Sequence, residues 1–212
     1  MPELSSLIDG ARATTAQRSA RLDLREATDA AHSRLHHNPL LAALQAGKLD
    51  RTGYPHLLRR LLGLHEPIET QLAVQAGHPW MAWWGDRPPG RAARLRADLA
   101  AIGDSAGRIG EVPNASGLLP RLDHPAAALG CAWVVEGSHL GARVLAPAAA
   151  AIISSTGPGW TFFAPEQHQL ARWRACCDAI EACGADADGR TAMAAAAAAT
   201  FAAFEQWLEV SP

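Results

Sequence analysis

A chain of 212 residues, 49% hydrophobic and 19% charged, carries enough apolar material for one well-buried domain. Its net charge of −2, with no basic run, excludes the footprint of a nucleic-acid partner. No stretch of about 18 uncharged apolar residues reads as a membrane span, and the first 19 residues lack the apolar centre of a signal peptide. Cys131, Cys176, Cys177 and Cys183 show neither zinc spacing nor a disulfide framework. The expectation is a cytoplasmic protein with reduced thiols and no membrane partner.

In chain order, residues 1–19 read as a flexible N-terminal arm and 20–212 as one helical domain. A helical period begins at Arg21 (Leu22, Leu24, Ala27, Ala31, Leu35), and Pro39 ends or bends it. On this helix Arg25, Thr28, His32 and His36 fall on one line. Residues 40–46 predict a short helix stopped by Gly47. Asp50-Arg51-Thr52-Gly53 opens a third, striped by Tyr54, Leu57, Leu58, Leu61, Leu62, Leu64, Ile68 and Leu72. On it His65 and Glu69 lie one turn apart, and Pro67 should kink it. Residues 78–90, with Trp80, Trp83, Trp84, Pro88 and Pro89, predict a Trp-anchored loop. Residues 91–102 predict an amphipathic helix with Leu95, Leu99 and Ile102 inward, and 103–124 a loop. A helix over 125–145 is limited or kinked by Pro147, with 148–153 as a continuation. Residues 154–159 predict a turn, followed by Trp160-Thr161-Phe162-Phe163 and by helices over 166–180 and 191–209. Strand signals are short, so the expected fold class is all-α.

The helix over 125–145 carries Gly137 and Gly141 on one face. Each costs roughly 0.5–1 kcal/mol relative to alanine, so something must offset them. One reading is close packing of another helix, the commoner use of an interior glycine. The other is a flat cofactor lying directly on the backbone. His32 and Arg25 bear on the second reading. They share a face about 10 Å apart, a separation that suits a haem with its iron on His32 and a propionate on Arg25. The plainer alternative for His32 is a satisfied half-buried histidine.

Other constellations stay open at this point. The pairs Asp29/His32 and Glu136/His139, with Glu69, admit a di-iron site between helices. His65 is structural, part of a water network, or a ligand. Arg172 and Arg174 are solvated charges or a clamp for acidic groups. Ser138 lacks the strand–turn–helix setting of a nucleophile elbow, and no phosphate loop or dinucleotide fingerprint is present.

Three segments together resemble the haem oxygenases, specifically the bacterial, biliverdin-producing type associated with bacteriophytochromes. The first is Leu24-Arg25-Glu26-Ala27-Thr28-Asp29-Ala30-Ala31-His32, followed by residues 44–54. The second is Gly130-Cys131-Ala132-Trp133-Val134-Val135-Glu136-Gly137-Ser138-His139-Leu140-Gly141, similar to the family's distal helix. The third is Phe162-Phe163 with Arg172-Trp173-Arg174, and Arg94-Leu95-Arg96-Ala97-Asp98-Leu99 adds to it, so the similarity covers residues 20–208.

The resemblance implies a single-domain helical bundle that holds haem between a proximal and a kinked distal helix. It implies cleavage of haem to biliverdin, CO and ferrous iron. His32 would ligate the haem iron, while Gly137 and Gly141 would let the distal backbone approach haem and O2. Ser138 stands where animal enzymes hold an aspartate that orders distal water. Arg25 and Arg172 match positions that pair propionates, with Thr28 on the same haem-facing line as Arg25. His65 stands where some relatives place a tyrosine. The distal-helix tyrosine is absent, with Ala132 and Trp133 in its place. Implied partners are haem, O2, an external electron donor (ferredoxin or a reductase, or ascorbate in vitro) and a bacteriophytochrome as biliverdin acceptor. The rivals are a haem-binding protein of this fold without turnover, a di-iron oxidase of similar architecture built on Asp29, His32, Glu69, Glu136 and His139, and a purely structural bundle.

Overall fold

The computed structural model describes residues 18–85, 90–153 and 159–209. Among these residues there is no strand, and the helices are α1 (Ala20–His36), α2 (Pro39–Gln45), α3 (Gly53–Val74), α4 (Ala82–Gly85), α5 (Arg91–Ala101), α6 (Ala106–Gly110), α7 (Pro125–Ala142), α8 (Ala146–Ile153), α9 (Gln169–Cys183) and α10 (Ala187–Glu209). The all-α expectation holds. Most of the expected arm, Pro88 and Pro89, and most of the 154–159 turn lie outside the described residues. The arm's two described residues are tied to helices: Arg18 pairs with Asp23 at 3.0 Å, and Ser19 donates to Glu181 of α9 at 2.5 Å.

Helix starts follow their side-chain caps. Asn38 accepts from the amides of Leu40 and Leu41, with Pro39 as the first helical residue of α2. Asp50 accepts from the amides of Thr52 and Gly53 at 3.0 and 2.7 Å and opens α3. The carboxylate of Asp186 accepts from Gly189 at 2.9 Å, so α10 begins earlier than its apolar stripe indicates.

Two prolines behave differently from each other. Helix α3 runs through Pro67. Pro67 has no N–H to offer the Gly63 carbonyl one turn back, and that carbonyl accepts instead from Ala115 at 2.8 Å. A Cβ at Gly63 would collide with the Pro113 carbonyl, so only glycine admits this loop against α3. Pro147, in contrast, is the second residue of α8, just past the break that separates it from α7. It cannot donate to the carbonyl of residue 143, and the chain turns there through tighter bonds from Val144 to Gly141 and from Leu145 to Ala142. The 78–90 and 103–124 loops contain one-turn helices, a 3₁₀ turn at Pro79–Met81 followed by α4, and α6. Met81 and Trp84 are buried, so the Trp-rich stretch does anchor onto the core.

Helix α7 is apolar on nearly every side and correspondingly buried. It packs on α10 and α9, and α1 packs on the same two helices. The alanine run of α10 supplies a flat surface, with Ala196 and Ala197 buried. Opposite it, a Cβ on Gly130 would collide with the Met193 carbonyl. Two apolar cores result. One joins α1, the second half of α3, α7, α9 and α10; the other joins α2, the first half of α3, α5, α8 and residues 160–163. A cavity lies where they meet, lined by Val134, Phe201 and Phe204 from the first and by Leu61, Phe162 and Phe163 from the second.

Candidate active site

The cavity measures about 590 Å³. Its lining brings together Arg25, Thr28 and His32 of α1, His65 of α3, and Gly137, Ser138 and Gly141 of α7. All four phenylalanines of the chain (Phe162, Phe163, Phe201, Phe204) line it. So do Trp133 and Trp173, whose ring centroids lie 4.8 Å apart at a 34° tilt. Apolar aromatic walls with a few polar groups suit a flat, largely apolar ligand.

The glycines of α7 divide into two uses. Gly130 is a packing glycine, pressed against α10. A Cβ on Gly141 would meet nothing within 4 Å, and one on Gly137 would meet only the Trp173 ring at 3.7–3.8 Å, ordinary contact. Neighbouring helices therefore do not require Gly137 and Gly141. They leave a strip of bare backbone facing the cavity.

On the α1 side, His32 is exposed and its Nε2 lies 3.3 Å from Nε2 of His36. Partial burial pushes the His32 pKa down, and neighbouring His36 pushes it further, which favours the neutral imidazole, the form able to bind a metal. Arg25 is exposed at the same wall. The Thr28 hydroxyl donates back to the Leu24 carbonyl at 2.8 Å and so is engaged within its own helix.

Arg91 is a lining residue that sequence reasoning missed. It is 2% exposed and donates from Nη1 to the Val135 carbonyl at 3.0 Å and to Ser138 Oγ at 3.3 Å. Its guanidinium lies 4.6 Å from the Phe162 ring centroid. Ser138 Oγ in turn donates to Val135 O at 2.8 Å. The available signal was register, because Arg91 stands four residues before Leu95 on the inward stripe of α5.

Asp98 lies on that stripe as well and is fully buried. It accepts from the amides of Gly159, Thr161 and Phe162 at 3.0, 3.0 and 2.8 Å, and from the Thr161 hydroxyl at 2.7 Å. Tyr54 donates to the Gly159 carbonyl at 2.9 Å, and burial pushes its hydroxyl pKa up. Gly159 sits at φ +121°, a conformation that glycine alone adopts readily. These contacts hold Phe162 and Phe163 against the cavity.

Arg172 does not line the cavity. It is 8% exposed and pairs with Glu166 at 2.7 Å and with Glu136 at 3.5 Å. Burial alone would lower its pKa, but the two carboxylates override that and raise it. His139 lies 3.1 Å from Glu166, as does Arg94. Glu136 and His139 thus join a buried ion cluster that ties α7 to α9 and α5. Glu69 caps α5, accepting from the amides of Arg91 at 2.6 Å and Ala92 at 3.3 Å. The five-residue di-iron constellation is therefore not assembled. Among the described residues no group of three or more His, Cys, Asp and Glu side chains is placed to hold a metal ion.

The sequence model of the heme oxygenase family matches residues 18–210. A heme oxygenase of Xanthomonas campestris pv. campestris (strain 8004) is 29% identical over 177 residues, covering 80% of this chain and 96% of that protein. The heme oxygenase of Leptospira interrogans superposes with a TM-score of 0.76 at 17% identity, covering 90% of this chain and 98% of that one. Heme oxygenase-1 of the cyanobacterium Synechocystis sp. PCC6803, solved in complex with heme, superposes with a TM-score of 0.73 at 18% identity, covering 90% of each chain. At these identities the two structures show a shared fold.

Proposed function

The chain belongs to the haem oxygenase family, and on that premise we propose that its cavity takes haem, that His32 would hold the iron, and that the bare backbone of Gly137 and Gly141 would leave room for it in the same cavity. The observation that carries this reading is the empty space beside Gly141, on a cavity that also contains His32. The residues fit the group. The walls are aromatic, partial burial and His36 bias the His32 imidazole toward its neutral form, and Arg25 is a cation exposed at the edge to meet a propionate. Bound haem supplies the redox-active iron and is itself the substrate, cleaved to biliverdin, CO and ferrous iron with O2 and electrons from an external donor.

The chain's own residues account for the rest. Phe162 and Phe163, fixed through Asp98, exclude water from one flank. The α7 backbone leaves no side chain at Gly137 or Gly141, so only a small molecule such as O2 fits between helix and ligand. Arg91 holds Ser138 Oγ in place, and Ser138 with His65 provides polar atoms that order water and pass protons. The buried cation of Arg91 favours negative charge developing nearby. A ferredoxin or a reductase supplies the electrons, ascorbate replaces it in vitro, and a bacteriophytochrome accepts the biliverdin.

Addition of haem to the pure protein should give a saturable Soret band at one haem per chain, lost in His32→Ala. Reductant and O2 should then yield a bile pigment that assembles with an apo-bacteriophytochrome. Haem that binds but survives reductant and O2 would instead favour a carrier of this fold. Among the described residues no helix is long and apolar enough to cross a membrane.

A further inference from the structure

We propose that His32 and His36 form a bidentate site for a divalent transition-metal ion in the haem-free protein, and that this ion and haem exclude one another. The pair lies one turn apart on α1 and both residues line the cavity. Two histidines at this spacing on one helix face are a known zinc-chelating arrangement. The distances agree. The Nε2 atoms are 3.3 Å apart with the rings nearly perpendicular at 86°, and two nitrogens bound at 2.0–2.1 Å to a tetrahedral zinc lie about 3.3–3.4 Å from each other. Both side chains are exposed, so the remaining positions of the shell are open to water. Asp29 lines the same wall and adds a favourable negative charge. The absence of any three-residue group suited to metal among the described residues makes this a two-ligand, exchangeable site. Imidazole donors select Zn²⁺, Cu²⁺, Ni²⁺ or Co²⁺ over Mg²⁺ and Ca²⁺.

The exclusion rests on the reading of His32 as the haem ligand. A metal ion held between the two Nε2 atoms occupies the nitrogen that haem iron would take. Loading with haem would release the ion, and free metal would slow haem uptake.

The test uses the full chain without haem. Zn²⁺ is titrated in competition with a chromophoric chelator, and Co²⁺ is followed through its visible ligand-field bands. One metal per chain is expected. His32→Ala and His36→Ala should each weaken binding by more than about 100-fold, beyond the roughly 10–100-fold that loss of an outer-shell partner costs. His78→Ala and His124→Ala, at a separate surface pocket, should leave it unchanged. Haem should displace the metal stoichiometrically. Unchanged Zn²⁺ binding in His36→Ala would overturn the site, because the 3.3 Å contact is then only a hydrogen bond between imidazoles. Zn²⁺ and haem held together would overturn the exclusion. If the unsubstituted chain takes no haem yet loses Zn²⁺ in both alanine variants, the haem reading falls and the chelate stands.

Discussion

Replacing Gly141 by alanine separates the two uses of glycine in α7. An added Cβ meets no protein atom within 4 Å. In the haem-free protein the substitution should therefore stabilise. A helix interior gains up to about 1 kcal/mol from Gly to Ala, and beside the last residue of α7 about 0.5 kcal/mol is expected. For a chain of this size that raises Tm by about 1–2 °C. The same methyl projects into the slot over the bare backbone, where overpacking costs about 1–3 kcal/mol. Haem affinity or turnover should fall by roughly 5- to 150-fold. Gly130→Ala, about three turns earlier in the same helix, is the opposite case. Its Cβ collides with the Met193 carbonyl, and it should destabilise the haem-free fold by about 2–3 kcal/mol. Urea denaturation of the haem-free variants, haem titration and pigment formation measure all three quantities. A Gly141→Ala variant destabilised like Gly130→Ala, or one with unchanged haem binding and turnover, would refute the assignment of Gly141 to the cavity.

Asp98→Ala leaves the buried amides of Gly159, Thr161 and Phe162 without their acceptor and should cost about 3 kcal/mol or more. Thermal unfolding measures this, and loosened Phe162 and Phe163 should also weaken haem binding. Glu166→Gln removes the charge that Arg172, Arg94 and His139 share and should cost about 3 kcal/mol in urea titrations. Arg25→Ala, at an exposed position, should leave the unfolding free energy within about 0.5 kcal/mol of the parent while raising the haem dissociation constant. Glu181 tests linkage to pH. Burial alone would raise its pKa, but hydrogen bonds from Ser19, Arg21 and the Ala20 amide override this and hold it down at about 2. Its folded pKa lies below its unfolded value, so its contribution is complete above about pH 4.5 and fades as pH falls toward 2. Glu181→Gln should cost about 1 kcal/mol at pH 7, a value discounted for its partial exposure. The gap in urea midpoint between parent and variant should narrow at pH 3, and a constant gap would refute the linkage.

Much of this protein is written locally. The apolar periods of α1, α3, α5 and α10, and the cap at Asp50, follow from interactions within a few residues, and their helices appear where those patterns lie, α10 starting about one turn before its stripe. His32, Arg25, Gly137 and Gly141 were visible because spacing along a helix fixes which residues share a face. Tertiary structure decided what each face meets. Gly130 and Gly141 are the same residue in the same helix, yet one is pressed on Met193 and the other borders open space. No local pattern distinguishes them, because the difference lies in a helix some sixty residues downstream. Likewise, both Arg91 and Arg172 are buried cations. Which one reaches the cavity depends on where their partners fall, Val135 and Ser138 for the first and Glu136 and Glu166 for the second. A buried charge must find its counter-groups across the fold, so its role emerges only when the helices have packed.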